Sequence, residues 1–184
     1  MAVATLGEKR ASGIGSEEIL YFLDTAQAAT VAVDSSTHKA TVTGGTLNMM
    51  LLTADNNTFN NNGSLEEQND VTQKLAISNP SFGQATMEIS QNFLKEDPVC
   101  QKFLDLYMNK PVGSDASFTL CRCDTFDSNK VYECTVSAVV SEFGGEAQGK
   151  AQVSVTLGQQ TDWVECATAG VIDGTTGVLT FAQA

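Results

Sequence analysis

Only one histidine is present, His38, and it lies in the polar run Ser35-Ser36-Thr37-His38-Lys39. A general base must reach the proton it takes within a shared pocket, and an isolated imidazole in a solvated turn has none. The five cysteines, Cys100, Cys121, Cys123, Cys134 and Cys166, are odd in number and widely spaced, which argues against a disulfide framework. Cys121 and Cys123 would share one face of a strand, but a single C-x-C with a distant His38 falls short of a zinc set. The thiols therefore read as small hydrophobes. The acidic pairs Glu17-Glu18, Glu66-Glu67 and Glu96-Asp97 are adjacent in sequence, so their carboxylates do not face each other as an acid and base would. They read as solvated surface.

Motif-level chemistry is absent as well. The glycine-rich run SGIGSE at 12–17 follows no strand and opens no helix, so it is not a phosphate loop. No G-x-S-x-G, H-E-x-x-H or G-x-x-x-x-G-K-[ST] occurs. The spacing of Asp124 and Asp127, or of Asp173 before its glycines, does not match a calcium-binding EF-hand loop. Asn56 and Asn62 open formal glycosylation acceptors, which are expected to be accidental in an Asn-rich loop where no secretion signal is read. Trp163, the single tryptophan, reads as a core or interface anchor rather than a sugar-stacking platform. No catalytic residue, metal or cofactor is expected.

The elements that would position any site are mostly strands. Ala151, Val153, Val155 and Leu157 alternate with Gln152, Ser154 and Thr156, the period of a half-buried strand. Met87 and Ile89 alternate with Thr86, Glu88 and Ser90, and Tyr132, Cys134, Val136, Ala138 and Val140 repeat the pattern. KATVT (39–43), TLNMMLL (46–52), SFTLC (117–121) and GVLTF (177–181) are further candidates, and Ile19 to Leu23 is read as a strand although a helix turn fits too. Gly44-Gly45, Gly144-Gly145 and Asp173-Gly174 punctuate the run.

One segment changes period. Between Asp97 and Pro111, apolar residues Cys100, Phe103, Leu104, Tyr107 and Met108 follow helical spacing. Asp97 can cap this helix, Pro98 suits its first turn and Pro111 stops it. Its apolar face must lie on a sheet. The expected contacts are Phe103, Leu104 and Tyr107 over Met87, Val136, Val153 and Val155, with Cys100 and Met108 on the same face. The chain of 184 residues, 42% hydrophobic, is therefore mainly β: a single domain over 1–184, a β-sandwich or open barrel with one packed α-helix. An arm is expected over 1–18 and an extended polar loop over 54–70.

Twenty-two acidic residues against ten basic ones leave a net charge of −12. Such a surface repels nucleic-acid backbones. No window approaches the roughly 18 apolar residues of a membrane span, and the start has no apolar stretch after its charges, so a cytosolic origin is expected. Sheets of this kind expose edge strands, and only three prolines are available to blunt them. A chain that polymerises would leave such edges open.

The order of parts resembles phage tail tube proteins, also called major tail proteins. From Ser90 to Leu157, "ISQNF" leads into the helix "DPVCQKFLDLYMNK", and "VYECTVSAVVSEFGGEAQGKAQVSVTL" sets a glycine-bearing connection between two strands. The resemblance implies a self-assembling structural subunit: hexameric rings stacked into a tube, the channel for DNA during genome delivery. It implies partnership with copies of itself and with other tail proteins, non-adhesive passage of DNA, no membrane, and a virion tail location after assembly in the host cytoplasm. It also implies that the polar loop reaches a neighbouring copy through Asn56, Asn57, Thr58, Phe59, Asn60, Asn61, Asn62 and Leu65. Another phage structural β-protein, such as a decoration, neck or baseplate part, is an alternative reading. So is a non-viral adhesin or surface-layer module.

Overall fold

The computed structural model describes residues 19–51, 59–68, 77–145 and 151–181. The expected arm over 1–18 lies outside them, as do 54–58 and 69–70 of the expected polar loop.

The ambiguous apolar run at the start is strand β1 (Ile19–Asp24), and its lack of alternation has a physical cause. Leu20 and Phe22 enter one hydrophobic core while Tyr21 and Leu23 enter another, and all four are buried. A strand covered on both faces has no polar side to display. Thr30–Val33 (β2) and Ala40–Thr43 (β3) form a small hairpin of their own, and Leu47–Met49 (β4) returns to pair with β1.

A second hairpin, Gly63–Gln68 (β5) with Ile77–Phe82 (β6), has its first strand within the expected polar loop. Residues 63–68 of the expected extended loop over 54–70 form a strand. Neither strand alternates apolar and polar residues, and among the described residues this pair joins no larger sheet. Thr86–Asn92 (β7) follows, then helix α1 (Pro98–Asn109), Ser117–Asp124 (β8), Lys130–Gly144 (β9), Gln152–Gln159 (β10), Val164–Glu165 (β11), Gly170–Ile172 (β12) and Val178–Phe181 (β13).

The main sheet runs β12-β13-β4-β1-β8-β9-β10-β7, with β11 beside β9, and its neighbours pair antiparallel. One face carries the first core: Leu23, Phe118, Leu120, Val136, Val155, Leu157, Met87 and Ile89, closed by Val99, Phe103 and Leu106 of α1. The opposite face carries the second: Leu20, Phe22, Met49, Cys121, Cys123 and Leu179, covered by Ala40 and Val42 of β3. Among the described residues the expected mainly β architecture with one packed helix is present.

Helix α1 begins where the sequence says. The Asp97 carboxylate accepts from Cys100 N at 2.9 Å, Pro98 occupies the first turn, and Lys110 ends the helix in a left-handed conformation (φ 47°) with its N–H on Leu106 O. The buried stripe is Val99, Cys100, Phe103 and Leu106. Of the residues assigned to that face, Leu104 and Tyr107 are half-buried, and Met108 is 70% exposed. At about 100° per residue, Met108 sits roughly 140° around the helix from Phe103, which turns it to solvent. Leu106, missed by the sequence reading, takes the packing position.

The loops bracketing β2 and β3 are tied to the sheet by one carboxylate. Asp24, 1% exposed, accepts from the N–H groups of Ala26 (3.2 Å), Ala28 (2.8 Å), Ala29 (2.7 Å) and Thr46 (2.8 Å). Gly45 allows this close approach. Its φ is 72°, and a Cβ there would lie 2.8 Å from that of Ala29 and 2.9 Å from Asp24 Cγ.

Candidate functional site

Beyond Ser137, strand β9 leaves β8 behind, so residues 138–144 pair only with β10 among the described residues. Strand β10 pairs on its other side with β7, and among the described residues the outer side of β7 holds a single bridge, Asn60 to Thr86. The result is a three-stranded segment with an open edge on each side. In an antiparallel ladder the backbone groups of successive residues point alternately to either neighbour. Thr86 bonds outward to Asn60, and Phe93 N bonds inward to Ala151 O at 2.7 Å. The outward set therefore includes Thr86 and Glu88, and the inward set includes Met87 and Ile89.

The two faces of this segment differ sharply. Val140, Phe143, Val153, Val155, Met87 and Ile89 face the first core. The other face presents Ser137, Val139 and Glu142 from β9, Gln152, Ser154 and Thr156 from β10, and Thr86, Glu88, Ser90 and Asn92 from β7. Glu88 and Glu142 are exposed, Val139 is 65% exposed, and none of these ten residues is basic. Phase is kept by a bulge. The register slips between Ser154 and Val155, making Ser141 an extra residue whose Oγ donates to Ser154 O at 3.2 Å. Without that insertion Glu142 and Phe143 would exchange faces. Phe143 instead packs edge-on against Phe93, with ring centroids 5.1 Å apart.

The β5–β6 hairpin leaves the body next to this open edge. At its root Asn62, in a left-handed conformation (φ 46°), donates from N to Asn60 Oδ1 (3.0 Å) and from Nδ2 to Gln84 O (2.8 Å). Gly83 N reaches Asn62 O at 3.3 Å, closing the neck. Phe59 is half-buried, 5.6 Å edge-on to Trp163 and 6.3 Å from Tyr21. Of the residues assigned to contact another copy, Phe59 thus anchors the loop to its own core, and Asn60 and Asn62 build the joint. Asn61 is exposed, and Leu65 lies in β5 opposite Pro80. Asn56, Asn57 and Thr58 lie outside the described residues.

The titratable groups carry little reactive potential. Burial pushes every cysteine thiol up: Cys100 to about 12, with Asp97 adding to the rise, Cys123 to about 11 and Cys166 to about 12. Cys121 and Cys134 move the same way. All five stay protonated near neutral pH, whereas a nucleophile needs the thiolate. Glu133, 4% exposed on β9 opposite Cys121 and Val164, has its carboxyl raised by burial. His38 is exposed in a left-handed turn (φ 53°). Among the described residues no three His, Cys, Asp or Glu side chains are grouped to hold a metal ion, and no helix is long and apolar enough to cross a membrane.

No protein-family model matches the chain, and no curated protein shows detectable similarity to it. Among solved structures, it is similar to a chain of the SPP1 tail tube at 17% identity, over 88% of this chain and 81% of that one, with a TM-score of 0.47. It is also similar to a chain of the anti-feeding prophage baseplate at 6% identity, over 82% of this chain and 93% of that one, with a TM-score of 0.40.

Proposed function

We propose that the chain is a structural, non-catalytic subunit of a phage tail tube that joins copies of itself into rings and stacks. The observation that carries this reading is the three-stranded segment open at both edges. An edge of β9 on one copy can pair with the β7 edge of the next, a head-to-tail contact that closes into a ring when the rotation permits. Six copies, the number the family resemblance implies, would contribute about 18 strands, a size at which barrels hold an aqueous channel. The face bearing Glu88 and Glu142, free of basic residues, would line it. Repeated around a ring, those carboxylates repel a polyanion within about 8 Å at physiological salt, so DNA slides without adhering.

The hairpin supports stacking. A two-stranded ribbon on its own is marginal in water, and β5–β6 pairs with no other strand among the described residues. A contact with an adjacent ring or another tail protein would stabilise it. In this reading the protein resides in the virion tail after assembly in the host cytoplasm.

Electron microscopy of Glu88→Pro against wild type and Glu88→Gln tests the edge. The outward N–H of residue 88 is not used by β10, so proline there leaves the subunit folded while removing a donor from the edge. The expected outcome is rings or hollow tubes for wild type and Glu88→Gln, and folded monomers for Glu88→Pro. Wild-type protein that stays monomeric at high concentration, or tubes unaffected by the proline, would overturn the proposal.

A further inference from the structure

A cleft of about 470 Å³ opens where three connections meet: residue 61 beside the hairpin root, residues 83–85 ahead of β7, and residues 159–163 between β10 and β11. Its size is that of a small-molecule site. Its amide side chains are held by using one half of each. Gln84 Nε2 donates to Gln159 O (3.2 Å), Gln159 Nε2 donates to Thr161 O (2.7 Å), and Gln160 Oε1 accepts from Ser117 Oγ (3.3 Å). The other halves remain available: Gln84 Oε1 and Gln159 Oε1 as acceptors and Gln160 Nε2 as a donor. Asn61 adds an amide and Asp162 a carboxylate, and no Lys or Arg joins the wall among the described residues.

Trp163 supplies the large apolar surface among the described lining residues. Phe59, at 5.6 Å and edge-on, and Tyr21, at 6.4 Å, fix the indole from the core side. A half-buried indole beside mixed donors and acceptors matches a ligand with one C–H face and a rim of hydroxyls. The cation-free wall with Asp162 disfavours anions, and the array of amides disfavours a purely apolar molecule.

We propose that this cleft binds a neutral saccharide of one or two hexose units, stacked on Trp163 and hydrogen-bonded by Gln84, Gln159, Gln160, Asn61 and Asp162. The proposal is independent of tube formation. It revises the sequence reading of Trp163, which serves the core with one side and the cleft with the other.

Trp163 is the single tryptophan, so indole fluorescence reports on this cleft alone. The full chain is titrated with maltose, cellobiose, lactose and diacetylchitobiose, then with dextran and a soluble β-glucan to separate free sugars from polymer chains. Spermidine serves as the cationic comparison. A saturable change with at least one disaccharide is expected, with a midpoint on the order of 1 mM. Gln160→Ala weakens it about three- to tenfold without moving the melting temperature, because one hydrogen bond of an exposed side chain is lost. Response to a polymer as well as a disaccharide places the ligand within a chain, whereas response to a disaccharide alone assigns a free sugar or chain end. No response to any saccharide tenfold above that midpoint overturns the proposal, as does response to spermidine or a polymer alone, or binding indifferent to Gln160→Ala.

Discussion

The same face of the main sheet is treated in two ways. Across β4, β1 and β8 it carries Met49, Phe22 and Cys121, sealed beneath the β2–β3 hairpin. Across β9, β10 and β7 it carries Val139, Thr156 and Glu88, with no such cover among the described residues. The first core, on the other face, is continuous beneath both halves. Stability therefore resides in the shared core and in the covered half, while the open half can be varied for contacts with other molecules. Substitutions should separate the two.

The largest effect is expected from Phe103→Ala, which empties a fully buried ring site beneath both halves. It should cost about 3 to 5 kcal/mol by denaturant unfolding of the unassembled chain. A loss below about 1 kcal/mol would mean that α1 is peripheral to the core. Asp24→Asn comes next. It removes the charge and turns one acceptor oxygen into an NH2 donor, so two of the four backbone N–H bonds that hold the cover over the sealed half are lost, and about 2 kcal/mol is expected. Unchanged stability would show that the hairpin holds its place without that staple.

How much of this was legible in the sequence follows from the same division. The open segment alternates cleanly, so Val153, Val155 and Leu157 against Gln152, Ser154 and Thr156 identify both strand and buried face. The Asp97 cap of α1 and the stop at Pro111 were equally readable, because both depend on local chain chemistry. The doubly covered half was harder. Burial on both faces erases the alternation that distinguishes strand from helix in Ile19 to Leu23. β5 and β6, which pair only with each other among the described residues, left no hydrophobic period in the sequence. The bulge at Ser141 and the convergence of residues 61, 83–85 and 159–163 on one cleft depend on tertiary register, which spacing along the chain does not encode. The nearness of Gln159 and Gln160 to Trp163 was the one local trace of the cleft.

A smaller effect, of opposite sign, is expected at the seam between the halves. Glu133 is buried beside Cys121 with its carboxyl raised above the ordinary 4.5 by loss of solvent. A raised folded value means that its contribution is full below pH of about 4.5 and is lost as the pH climbs through the folded value. Glu133→Gln removes the ionisation. The variant and wild type should melt together near pH 4, and the variant should become the more stable as the pH rises from about 4.5 through the folded value, the gap staying constant above it. A gap that is constant from pH 4 upward would show that Glu133 is charged at no extra cost, which requires a solvated or paired carboxylate there.

The smallest effect tests whether the open face is open. Val139 lies 65% exposed between Ser137 and the bulge, in a strand whose neighbour on that side is β10 alone. Threonine has nearly the same shape and β-propensity but replaces a methyl with a hydroxyl, so it reports burial rather than backbone preference. In the unassembled chain, Val139→Thr should change stability by less than about 0.5 kcal/mol, as surface substitutions do. A buried valine would instead leave the hydroxyl without water, at about 1 to 3 kcal/mol. That larger loss would mean that this half is covered like the other, and the distinction between a sealed and an available half of the sheet would fall.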